Sequence, residues 1–247
     1  MIRFYLAVII FCSFALTALA QQDSTQSKAS HTDNIIRFVK EGTAPLPDAY
    51  NFLPAPPSEN DARFISDSCL YEVGKTLRGT LRGDTAVADA GYAIEYFLER
   101  FSAAMNRKLT PEKNPKLTEL IKGAMLAGNE SVQNAKMKHA RRRPFHHFGE
   151  HTPIPQEEFP GDFTSYPSGH TVRAWIAALT LTTVCPEYAD GIMKVGYEIG
   201  QSRTIVGFHY QSDVDAARFA ASATFARLCA EKNFLKAIEK ARKELNK

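Results

Sequence analysis

Residues 61–77 read DARFISDSCLYEVGKTL, with apolar side chains at Phe64, Ile65, Leu70, Val73 and Leu77. That spacing follows the period of about 3.6 residues expected of an amphipathic helix. The same kind of pattern extends outward. It predicts helices over 86–105, 115–137, 171–184, 188–200 and 213–230, with a charged amphipathic helix over 234–245. Few stretches alternate with period two, and no run rich in Val, Ile and Thr reads as a strand. The fold class expected is all-α, a single-domain helical bundle over 46–247. The segment 152–166, rich in Pro, Gly and acids, reads as a loop between two groups of helices.

The N-terminal end has a different character. Arg3 is followed by an almost wholly apolar run from Phe4 to Leu16, and Ala18-Leu19-Ala20 has the small-x-small form of a cleavage site. This predicts a secretory signal peptide over 1–20, since the run is shorter than the roughly 20 residues a membrane span requires. A polar leader is expected over 21–45. Its apolar patch Ile35-Ile36-Arg37-Phe38-Val39 has the character of a segment that docks on the main body. A proline-marked extended stretch runs from Pro45 to Pro57.

The 247 residues are large enough for one substantial core. Cleavage after Ala20 leaves 29 basic and 27 acidic residues, a formal charge of +2 and no concentrated basic face. That excludes a nucleic-acid polymer as the expected partner. No later segment is long and apolar enough to span a bilayer, so the expected mature protein has no membrane span. Of four cysteines, Cys69, Cys185 and Cys229 lie beyond the leader, without zinc-ligand spacing. Cys185 falls fifteen residues after His170, and Cys229 sixteen after Asp213. Two helices that start together and run the same way would bring these cysteines to one height, which predicts a Cys185–Cys229 disulfide in an oxidising compartment.

Three segments carry candidate chemistry. Lys136 is followed, after six residues, by Arg143-Pro144; Pro167-Ser168-Gly169-His170 opens the 171–184 helix; and Ser202-Arg203 precedes His209 and Asp213. Lys136, Arg143 and Arg203 suit the charge of a phosphoryl group, the guanidiniums with bidentate geometry. The start of the 171–184 helix, with the Ser168 hydroxyl and the open backbone at Gly169, suits an anion cradle that needs no metal. In a helical stretch, His209 and Asp213, four residues apart, would share a face. Asp213 would then accept one ring N–H and free the other nitrogen to attack, while His170 serves as acid. Taken singly, each residue has an ordinary structural reading: solvated cation, helix cap, or buried hydrogen-bonder. Their joint order and spacing favours the chemical one.

These segments resemble the signature of the type-2 phosphatidic acid phosphatase superfamily, which includes bacterial acid phosphatases, lipid phosphatases and vanadium haloperoxidases. Leu53-Pro54-Ala55-Pro56-Pro57, Tyr71-Glu72-Val73-Gly74, Leu77-Arg78-Gly79-Thr80 and the run 211–218 resemble the class A bacterial acid phosphatases more closely. The resemblance implies a helical, periplasmic, commonly dimeric enzyme that cleaves small phosphate monoesters without cofactor or metal. It implies phosphate binding by Lys136, Arg143, Ser168, Gly169, His170 and Arg203, with His209 as nucleophile, His170 as acid and Asp213 as partner of His209. The short chain and flanking motifs weigh against a haloperoxidase, the missing membrane helices against a lipid phosphatase. A non-catalytic phosphate-binding protein would not need two histidines and Asp213. Met125-Leu126 stands before Ala127-Gly128 where relatives often carry acids; it reads either as an apolar pocket wall or as core. His146, His147 and His151 read as solvated or substrate-facing loop residues rather than a metal site.

Overall fold

A computed structural model describes residues 37–40 and 42–246. The signal peptide read at 1–20 and the leader at 21–34 lie outside the described residues.

The chain forms eleven α-helices among the described residues, with no strand: α1 Ala49–Phe52, α2 Ala62–Thr76, α3 Leu81–Ala88, α4 Ile94–Ala104, α5 Pro115–Ser131, α6 Gln133–His139, α7 Pro144–Phe148, α8 Gly169–Val184, α9 Ala189–Ile205, α10 Gln211–Leu228 and α11 Lys232–Leu245. The expected all-α bundle is what forms. None of these helices is long and apolar enough to cross a membrane.

α8 is the axis of the bundle. It is apolar on nearly every side, as expected of a helix enclosed by others, and it packs against α5, α9, α10 and α11. Val172, Ile176 and Leu181 are fully buried; each aliphatic side chain so enclosed contributes about 1.5–3 kcal/mol. Glycines let its neighbours approach closely. A Cβ at Gly128 of α5 would stand 2.9 Å from Val172, and one at Gly196 of α9 would stand 2.6 Å from the Ala178 Cβ. Phe38 is buried and meets Phe234 of α11 edge-on at 5.0 Å, so this part of the leader's apolar patch docks on the body.

Several sequence expectations need correction. The stretch 86–105 is two helices, because Asp89 is wholly buried and accepts hydrogen bonds from Tyr96, Arg100 and Ser202 instead of continuing α3. The stretch 115–137 also breaks. The Ser131 hydroxyl takes the Gly128 carbonyl, and the Val132 N–H bonds to Asn129 rather than to Gly128. α2 forms as read, with its apolar face turned the other way. Ile65, Leu70 and Val73 are exposed, whereas Asp67, Tyr71 and Gly74 are buried. A Cβ at Gly74 would lie 2.9 Å from the Thr204 carbonyl, so only glycine lets α2 sit this close to α9. Met125 packs in the core and does not form a pocket wall.

The expected Cys185–Cys229 disulfide does not form: among the described residues Cys69, Cys185 and Cys229 are free thiols. Cys185 and Cys229 do cap the ends of α8 and α10, two helices packed side by side. Equal height fixes position along an axis only; a bridge also needs the two Cβ atoms about 3.5–4.5 Å apart and facing.

Candidate active site

α8 and α10 both begin at the site, and the loop leaving α9 returns to it, so the three sequence segments converge at one end of the bundle. Ser168 is the N-cap of α8, its hydroxyl accepting the Thr171 N–H at 3.4 Å and the Thr171 hydroxyl at 2.9 Å. Its own N–H is used, donated to the Asp213 carbonyl at 3.1 Å. The following N–H groups, of Gly169 and His170, start the helix and have no intrahelical acceptor. Above them lies Lys136: a Cβ at Gly169 would come within 3.6 Å of its Cε. The Lys136 ammonium donates to the carbonyls of Thr164 at 2.8 Å and Pro167 at 2.6 Å.

Arg143 donates its Nε–H to Asp162 at 2.5 Å and one terminal N–H to Thr164 at 3.2 Å. Its other terminal nitrogen serves the Phe208 carbonyl and His209 Nε2, both at 3.0 Å. Arg203, the last basic residue of α9, lies over the Phe208 ring at 5.0 Å; its Nε and one terminal nitrogen are buried without a partner among the described residues. His170 Nδ1 is likewise buried and unpartnered, while its Nε2 lies 3.3 Å from the Gly91 carbonyl.

His209 and Asp213 are arranged differently from the helical face expected. His209 precedes α10, and Asp213 sits in the first turn of that helix, where it accepts the Tyr210 N–H at 2.9 Å. His209 Nδ1 bonds to the Ser165 carbonyl at 2.7 Å; Asp213 lies 3.6 Å from the same nitrogen, in electrostatic reach but too far for a hydrogen bond. Asp213 is held instead by Arg141 at 2.5 Å and by the Ser165 hydroxyl at 2.6 Å. Arg141 in turn donates to Asp67 of α2 at 2.8 Å and stacks on Tyr210 at 4.0 Å. Asp67 accepts the Ser212 N–H at 2.9 Å and its hydroxyl at 2.5 Å. The Ser165 N–H donates to the Arg141 carbonyl, closing the network.

Sequence reading therefore missed Arg141, Asp67, Ser165 and the Gly91 carbonyl. Within Arg141-Arg142-Arg143 nothing local shows that Arg141 is buried and Arg142 exposed. Asp67 likewise reads as one more polar residue of an amphipathic helix, and only the fold buries it. The three loop histidines are dispersed: His146 bonds the Phe159 carbonyl, His147 faces Glu59 and His151 pairs with Glu158.

Burial and charge set the protonation states. Burial, then the Arg143 charge, lowers His209 to about 3, so the ring is neutral over the acidic range. Burial, then Arg203 and Arg173, lowers His170 well below an ordinary histidine. Lys136 is lowered to about 7 by burial and Arg143, and Arg203 to about 10, mainly by burial. For Asp213 burial opposes the charge but is outweighed by Arg141, His209 and Ser165, which hold the carboxylate below its ordinary range. The site is a concentration of desolvated positive charge around two neutral imidazoles, suited to an anion with two or more oxygens.

A site of this kind, at the start of a central helix in an all-α bundle, goes with the family comparison: the chain belongs to the PAP2 superfamily, whose model matches residues 119–234. Among curated proteins it is 40% identical, over 81% of this chain and 82% of the other, to the non-specific acid phosphatase of Providencia stuartii. It is 36% identical to the non-specific acid phosphatase of Salmonella typhimurium, over 79% of each chain. It is 30% identical to the acid phosphatase of Zymomonas mobilis, over 99% of this chain and 90% of that one.

Proposed function

We propose that this chain is an acid phosphatase that hydrolyses phosphate monoesters through a phosphohistidine on His209. One observation carries the reading. Arg203 buries Nε and one terminal nitrogen without partners among the described residues, in a site shared with Arg143 and His209, and an unpartnered buried donor is costly unless an anion satisfies it. The relatives' shared name supports the same reaction class.

The chemistry follows from the hydrogen bonds. With Nδ1–H donated to Ser165, His209 Nε2 carries the lone pair, and Arg143 beside it binds an oxygen of the phosphoryl group under attack. Arg203, Lys136 and the first N–H groups of α8 take the other oxygens. As Nε2 bonds to phosphorus, the bond to the ester oxygen breaks and its electron pair leaves with that oxygen. The imidazolium formed on His209 is stabilised by Asp213, 3.6 Å away. His170 binds Gly91 through Nε2–H, which leaves Nδ1 to hold the proton passed to the departing alkoxide. Burial beside Arg203 and Arg173 disfavours that proton in the free enzyme; the bound phosphate neutralises those cations and restores it. In the second half, His170 takes a proton from water as its oxygen attacks phosphorus and His209 leaves.

The enzyme is proposed to be periplasmic, exported by the signal read at 1–20, and to act as a homodimer, which light scattering on the eluted protein would test.

Rapid quenching during turnover tests the mechanism. An alkali-stable, acid-labile phosphoryl label on His209 is expected, and turnover should vanish in His209→Ala. A His209→Ala enzyme that turns over at the native rate would sink the proposal.

A further inference from the structure

The break between α3 and α4 brings a residue to the site that the reaction as described does not use. Asp89, anchored by Tyr96 at 2.6 Å and Arg100 at 2.8 Å, fixes a short loop whose Gly91 carbonyl holds His170. The next residue, Tyr92, places its ring centroid 4.0 Å from that of His170, the two planes 61° apart.

Tyr92 nevertheless stays open to solvent. Its side chain is 57% exposed, whereas His170 beneath it is 1% exposed. Arg173, one turn along α8 from His170, donates to the Tyr92 carbonyl at 3.0 Å, and its guanidinium lies 5.2 Å from the Tyr92 ring and 5.4 Å from Phe97. The loop and the ring are thus held from below by Asp89 and Arg173. A solvent-exposed aromatic ring fixed against the acid of a phosphatase is not needed for packing, since it leaves more than half of its surface in water.

We infer that Tyr92 is a leaving-group platform: its open ring receives planar aromatic groups carried on the alcohol side of the ester, such as the base of a nucleoside monophosphate. The inference rests on the reading of His170 as the acid. A group that takes its proton from His170 must lie against that imidazole, and Tyr92 is the aromatic surface adjoining it. Stacking of a base on an aromatic side chain contributes about 1–3 kcal/mol by alanine substitution, which is about 5- to 160-fold in affinity.

A matched pair of esters isolates the effect. A nucleoside 5′-monophosphate and ribose 5-phosphate share the same primary alkoxide leaving group and differ by the base. The wild-type enzyme is expected to favour the nucleotide in kcat/KM by about tenfold, mostly through KM. Tyr92→Ala should bring the ratio close to one, and Tyr92→Phe should keep it. A wild-type ratio near one overturns the platform without any variant being made. So does a ratio that Tyr92→Ala leaves unchanged, or a Tyr92→Ala enzyme that loses both reactions equally, which would assign Tyr92 to holding His170. Hydrolysis of neither ester by the wild type would instead overturn the phosphatase reading, and the platform with it.

Discussion

Arg141 holds Asp213 through a 2.5 Å hydrogen bond, and both side chains are buried. His209 is thus oriented by the Ser165 carbonyl, and in the proposed reaction its positive charge would be balanced by a carboxylate that Arg141 keeps ionised and fixed. Arg141 is a positioning residue with two carboxylates to satisfy, the second being Asp67.

Arg141→Met should therefore be costly in stability. It leaves Asp67 and Asp213 buried without their cation, and breaking a buried pair in this way costs about 3–5 kcal/mol. Urea unfolding would measure it. Asp67→Asn, which spares Asp213, should lose less stability and retain most turnover.

Acid should weaken the free protein, and phosphate should oppose the loss. His209 is lowered from 6.5 to about 3 on folding, so its stabilising effect is full above 6.5 and declines as pH falls toward 3. His170 and Asp213 are lowered too and act with the same sign. The melting temperature without phosphate should fall as pH is lowered from 7. Inorganic phosphate, which pairs with the cations, should raise it at each pH.

Lys136 predicts an alkaline limit. With a pKa of about 7 in the free enzyme, its ammonium is lost above neutrality, and kcat/KM should decline there. Lys136→Arg keeps the charge and should extend activity on the same substrate by about one pH unit or more.

Vanadate adopts the five-coordinate geometry of the transition state and should compete with substrate at the same donors. Inhibition should persist in the presence of a chelator, and vanadate should raise the melting temperature of the wild type but not of Arg203→Ala.

Packing behind the site should be as intolerant as the site itself. Gly196→Ala would press a methyl group to 2.6 Å from Ala178, forcing α8 and α9 apart. These helices carry His170 and Arg203, so a loss of about 1–3 kcal/mol in stability should come with lower kcat.

The bundle was legible because apolar spacing reports helices regardless of what they face. The orientation of α2 was not, since the same spacing does not say whether Ile65 or Tyr71 points inward; only the partner helices α9 and α10 decide that. The three segments supplied eight candidate residues, and the structure brings all eight of them to one end of α8. The supporting residues were not legible. Arg141 differs from Arg142 only in where the chain carries it, Ser165 acts through a carbonyl that every residue has, and Asp67 works from 74 positions away.

The Arg203 nitrogens left without a partner among the described residues also mean that the site and the fold compete. Each desolvated cation prepared for phosphate is a charge the empty protein would be more stable without. Arg203→Leu should therefore give an inactive protein that resists heat better than the wild type in phosphate-free buffer, and that has lost the wild type's stabilisation by phosphate. The stability given up in the free protein would be returned only when an anion fills the site.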